Sequence, residues 1–103
     1  MPEKTFGNFT VEVDKSGYLA DMDDWNEELA KEIAKEVGIA LTDKHFEIIK
    51  FIREKIKSGE SLSIRKIGKS GIVSIKEFYQ LFPDGPLKKA SLIAGVPKPA
   101  GCV

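Results

Sequence analysis

The sequence holds one cysteine, one histidine and one tryptophan in 103 residues. A single cysteine excludes an internal disulfide and a zinc site built from cysteine alone. The one histidine, His45, leaves no spacing that supports a Ser-His-Asp arrangement and no second imidazole for a metal, so no metal site is expected. No apolar run approaches about 18 residues, so no membrane association through a spanning helix is expected. The opening MPEKTFGNF lacks the basic-then-apolar order of a secretory signal, and a cytoplasmic protein is the expectation. GxGxxG and GxxxxGK[ST] are absent too, so neither a nucleotide nor another cofactor is implied.

Net charge is also lacking, with 16 basic and 16 acidic residues, but the balance conceals a division. Residues 1–42 carry four lysines against ten carboxylates, and residues 43–103 carry twelve basic residues against six acidic ones. Two readings stand side by side. An acidic front half lies against a basic back half, or the basic half meets an anionic partner or helps keep a thiolate ionised.

What is present reads as one small domain, mainly helical. Phe9, Val11 and Val13 alternate with polar residues as a short strand does. The turn cluster Asp14–Gly17 and the pair Tyr18-Leu19 predict a return strand and hence a hairpin. Trp25, Leu29, Ile33 and Val37 recur every four residues, a helical stripe capped by Asp23 or Asp24 and stopped at Gly38. Thr42 caps a second helix whose stripe is Phe46, Ile49, Ile52 and Ile56, widened by Ile48 and Phe51 and ended by Gly59. His45, in its first turn, is read as a structural histidine.

Two short helices follow, one from Ser63 and one capped by Ser74, around a turn at Gly71. Their apolar residues are Ile64 and Ile67, then Ile75, Phe78, Tyr79 and Phe82, of which the aromatic ones are read as core. That order is helix-turn-helix-like, and Arg65, Lys66, Lys69 and Lys76 offer cations to phosphates. Against DNA as a partner, the second helix supplies only Lys76, Glu77 and Gln80 as polar readers, and the domain is not basic overall. A last helix starts at Gly85-Pro86 and ends at Gly95. The fold class is α+β, mainly α, with one domain over residues 1–94 and a mobile arm over 95–103.

The arm reads VPKPAGCV after Gly95. Pro97 and Pro99 forbid continuation of the helix and favour the extended polyproline conformation, giving a reach of about 20 Å from Gly95 to Cys102. Gly101 lets the backbone turn beside the thiol. An exposed, unhindered thiol suits nucleophilic attack and thiol exchange, which makes Cys102 the candidate reactive residue. The terminal carboxylate disfavours its thiolate, whereas Lys88, Lys89 and Lys98 favour it.

The segment FYQLFPDGPLKKASLIAGVPKPAGCV resembles the signature YxLFPxGP…AxxIAGxPKPxxC of the DsrC/TusE family. That family comprises the gamma-type protein of dissimilatory sulfite reductase and the sulfur carrier of tRNA 2-thiouridine synthesis. The likeness extends through DDWNEELA, LTDKHFEIIKFIRE and SIRKIGK. It implies an orthogonal helical bundle with a helix-turn-helix, a small β-meander in front, and a persulfide carried on Cys102 into a partner. The implied partners are a sulfurtransferase donor and an acceptor, in a sulfite reductase or a tRNA-thiolation context, and the implied role is a carrier rather than a stand-alone enzyme. A regulatory or DNA-binding protein and a structural subunit of sulfite reductase are the alternatives. The family's basic residue in the IR/IK segment falls at Arg65, which with Lys69 and Lys98 would stabilise anionic sulfur or dock the arm.

There are two departures. Members that serve sulfite reduction carry a second cysteine eleven positions before the last, where this chain has Ser91. A hydroxyl forms no disulfide, so a cycle through an internal disulfide is closed to this chain and a single-thiol relay is implied. The stretch between SIRKIGK and FYQLF is shorter than in TusE and resembles compact DsrC-like forms.

Overall fold

The computed structural model describes residues 2–99. Strands β1 (Glu3–Phe6) and β2 (Phe9–Glu12) form an antiparallel pair in the register Glu3↔Glu12 to Phe6↔Phe9. Gly7-Asn8 joins them, with Gly7 at φ +59, as a two-residue turn with glycine first requires. The hairpin therefore lies one strand earlier than the alternation around Phe9 suggests. β1 is exposed at three of its four positions and gives no period-two signal. The turn at Asp14–Gly17 is real, since the Asp14 carboxylate accepts from the Ser16 and Tyr18 amides at 2.8 and 2.9 Å. Tyr18-Leu19 is nevertheless no strand; only a single bridge pairs Leu19 with Val13.

A single 3-10 turn, Met22–Asp24, precedes α1 (Glu27–Glu36). Its cap is Asn26, whose side chain accepts from the Leu29 amide at 2.8 Å, rather than Asp23 or Asp24. Asp23 and Asp24 belong to the 3-10 turn, which Asp21 caps, and Trp25 stands between the two elements, outside the helix. α1 buries Leu29, Ala30, Ile33 and Ala34. Gly38 and Gly59 follow α1 and α2 (Asp43–Lys57), where the sequence places the stops.

Thr42 caps α2 as read, and His45 completes a reciprocal box from the helix side. The Leu81 carbonyl only accepts, so the His45 Nε2 at 2.8 Å carries the proton. Nδ1 then accepts from the Thr42 amide at 3.1 Å and from its hydroxyl at 2.8 Å. With both nitrogens engaged and the ring edge-on to Phe82, His45 ties α2 to α4. The apolar stripe of α2 is centred on Ile48, Ile49 and Ile52; Phe46, Phe51 and Ile56 flank it, half-buried.

α3 (Ile64–Gly68) and α4 (Ile75–Leu81) carry their serine caps, Ser63 to the Lys66 amide and Ser74 to the Glu77 amide, both at 3.1 Å. Of the four apolar residues assigned to this second helix from the sequence, Phe78 and Phe82 are fully buried, while Ile75 and Tyr79, the latter read as core, are each 46% exposed. A seven-residue helix has room to bury one i, i+4 row, and the neighbouring row remains in solvent.

α5 (Pro86–Ala94) is the central helix. It buries Pro86, Leu87, Ala90, Ser91, Ile93 and Ala94 and packs against both α1 and α2. A helix apolar on nearly every side belongs in the interior, and its small residues let two neighbours approach closely. The whole is α+β and mainly α, five α-helices and a two-stranded sheet among the described residues. No helix in it is long and apolar enough to cross a membrane.

Ser91 is fully buried and its hydroxyl has no hydrogen-bond partner among the described residues. Replacing an orphaned buried hydroxyl by a methyl removes a desolvation cost. Ser91→Ala is therefore expected to raise the unfolding free energy by about 1 kcal/mol in urea titrations. A loss of that size instead shows that the hydroxyl is satisfied.

Candidate functional site

The chain leaves the domain at the carboxyl end of α5, where the last carbonyls of a helix lack intrahelical partners. Two of them are taken by side chains from far away in sequence. Trp25 Nε1 donates to the Ile93 carbonyl at 2.8 Å, and Arg53 Nη1 donates to the Ala94 carbonyl at 2.8 Å. The other arm of the guanidinium, Nη2, donates to the Met22 carbonyl at 2.9 Å, and Arg53 Cζ lies 4.3 Å from the Trp25 ring centroid. One planar fork thus joins α2, the 3-10 turn and the end of α5, with an indole stacked on it.

Gly95 closes the helix in the left-handed region, at φ +68. A Cβ there would stand 2.5 Å from Trp25 Cδ1, so the indole occupies the space that any side chain would need. Val96 follows fully buried, its amide donating to the Ser91 carbonyl at 3.2 Å. Gly95 and Val96 therefore pack with the body, and the exposed chain starts at Pro97.

Burial lowers the Arg53 pKa, and the Asp23 carboxylate opposes that shift. This attraction links the acidic and basic halves, but the ion pairs do not. Each ion pair among the described residues joins two groups of the same half: Lys4–Glu36, Lys31–Glu28, Lys35–Glu32, Lys44–Glu47 and Lys55–Glu60. The acidic front is not neutralised by ion pairing with the basic back.

The residues singled out in the sequence are distributed as follows. Pro97 and Lys98 are exposed and Pro99 is half-buried; Gly101 and Cys102 lie outside the described residues. Arg65 is exposed on α3. Lys69 lines a cleft of about 370 Å³ with Phe51, Lys55, Glu60, Lys66 and Ser70. A second cleft, about 200 Å³, opens at the root of the arm between Trp25, Lys50, Arg53, Glu54 and Lys57. At about 100° per residue, Phe51 and Lys55 project on one side of α2 and Arg53 on the other. The described structure does not bring Lys69 to the root of the arm. Of the cations there, Arg53 is the one bonded to the end of α5, and its charged neighbours Lys50, Glu54 and Lys57 made it look like one more solvated residue.

The family model for DsrC like proteins matches residues 5–103. The chain is 42% identical over 101 residues to a protein named sulfurtransferase TusE of Photorhabdus laumondii, covering 90% of this chain and 91% of that one. It is 38% identical over 105 residues to the gamma subunit of dissimilatory-type sulfite reductase of Nitratidesulfovibrio vulgaris, covering 100% of both. The fold is similar to the crystal structure of the oxidised gamma subunit (DsrC) from Archaeoglobus fulgidus. The TM-score there is 0.80 at 36% identity, over 99% of this chain and 100% of that chain.

Gly95→Ala is expected to destabilise the domain by about 1–2 kcal/mol for the left-handed backbone alone, with a further loss from the displaced indole. Thermal unfolding reads the stability, and Trp25 emission, the only indole signal, reads the displacement. An unchanged Tm with unchanged emission contradicts the packing described.

Proposed function

The chain belongs to the DsrC-like protein family, and from that premise we propose that it carries sulfane sulfur as a persulfide on Cys102, relaying it from a donor to an acceptor protein. The observation that supports this reading is the position of the sole cysteine. It lies five residues beyond Pro97, where the packed body ends, in a segment that the family match includes.

The chemistry needs no cofactor. The Cys102 thiolate attacks the terminal sulfur of a donor persulfide; the donor S–S bond breaks, and its electron pair leaves with the donor thiolate. An acceptor thiolate that attacks the outer sulfur of Cys102 persulfide takes that sulfur and regenerates the Cys102 thiolate. Neither step changes the net oxidation state, so no oxidant or reductant is required. An extended segment from Pro97 to Cys102 would span about 15 Å, less than the reach counted from Gly95, because Val96 is part of the body. Pro97, Pro99 and Gly101 shape that segment, and Lys98 is the nearest exposed cation to the thiol in sequence.

Ser91 supports a single-thiol relay. A serine closes off an internal disulfide, and its hydroxyl is buried in the core, so the second thiol of any exchange belongs to a partner. Arg65 and Lys69 fit this scheme as docking groups for an anionic partner, since no ion pair among the described residues engages them. The end-to-end match to a gamma subunit favours one further reading, a component associated with dissimilatory sulfite reductase.

Whole-protein mass spectrometry after incubation with polysulfide tests the carrier. A gain of one sulfur atom, abolished in Cys102→Ser, is expected. A wild-type chain that gains none contradicts the proposal.

A further inference from the structure

We propose that Arg53, together with Trp25, is the positioning element of the relay: it fixes the direction in which the chain leaves α5 and hence the side of the molecule on which Cys102 is presented. The inference rests on the reading of Cys102 as the carrier thiol, but its physical basis lies within the described residues.

A helix end held by one hydrogen bond pivots about it. Here the two adjacent carbonyls of Ile93 and Ala94 are each held by a different side chain, at 2.8 Å in both cases. The two donors are themselves fixed. Arg53 reaches the Met22 carbonyl at 2.9 Å with its other nitrogen, and its guanidinium lies 4.3 Å from the centroid of the indole. Two points held from two elements define a direction as well as a position. Gly95 then turns the chain at φ +68 directly against the indole, and Val96 seals the turn by burial. The first exposed residue, Pro97, has its own φ restricted by the ring. The orientation set at Ala94 is therefore handed on through one closed turn to a stiff residue.

A lysine of equal charge cannot reproduce the geometry of Arg53. One ammonium is a point donor and does not present the parallel fork that reaches Ala94 and Met22 together. The cleft beside it, between Trp25, Lys50, Arg53, Glu54 and Lys57, leaves the same edge of α2 open.

The test uses the full chain with a nitroxide on Cys102 and reads paramagnetic broadening of the backbone amides. In the wild-type chain the broadened amides are expected to form one contiguous patch around the end of α5. In Arg53→Lys and Arg53→Gln, compared below their unfolding temperatures, the patch is expected to spread onto faces untouched in the wild type. Trp25→Phe, which removes the indole N–H donor and shrinks the ring stacked on Arg53, gives an intermediate spread and serves if an Arg53 variant does not fold. A folded Arg53→Gln chain with the wild-type patch overturns the proposal, as does a wild-type chain that broadens every face equally. The unlabelled wild-type chain is expected to take up sulfur from polysulfide. Failure of the wild type to load counts against the carrier reading, while the broadening pattern judges the clamp independently.

Discussion

The three-way contact of Trp25, Arg53 and the end of α5 ties the central helix to α2 and to the 3-10 turn. The central helix carries most of its surface against other elements, so its position determines those of α1 and α2. Its carboxyl end needs partners for carbonyls that the helix itself cannot satisfy. Drawing those partners from Trp25 and Arg53 closes the chain on itself: residue 25 meets residue 93, and residue 53 meets residue 94. Helix end, core and the start of the exposed tail are thus settled by one set of contacts.

Much of this was legible where the physics is local. Thr42, Ser63 and Ser74 cap their helices as their side chains dictate, and the four-residue recurrence of Leu29 and Ile33 marks the buried face of α1. Legibility failed where competing local signals were equally good or the interaction was long-range. Three carboxylates and an asparagine precede α1, each a competent cap by residue type; Asn26 caps the helix, and Asp21 caps the 3-10 turn before it. The Gly7-Asn8 turn was readable as a hairpin signal, but the polar β1 concealed it. Ile75 and Tyr79 follow helical spacing and still face solvent, because periodicity states which residues share a row and not which row is covered. Arg53 bore no local mark at all; its role is created by carbonyls 41 and 31 residues away.

The same distinction applies to charge. A chain with zero net charge invites the view that its halves neutralise each other, yet the ion pairs among the described residues stay within each half. The basic half therefore keeps cations on the surface, Arg65 on α3 and Lys69 in its cleft, while the guanidinium spent internally is Arg53. The candidate site is divided accordingly. The reactive atom of the proposed relay is read from the sequence, and the device that aims it is read from the structure.

The proposed relay holds sulfur on one thiol and has no internal means of expelling it. Sulfide release from the polysulfide-treated protein, kept dilute and freed of excess polysulfide, distinguishes this from a self-contained cycle. Attack on the inner sulfur of a persulfide forms a disulfide and expels hydrosulfide, and here the attacking thiolate has to come from outside. Negligible release is expected from the wild-type chain alone, and about one equivalent after a low-molecular-weight thiol is added. Stoichiometric release without added thiol would contradict the single-thiol relay.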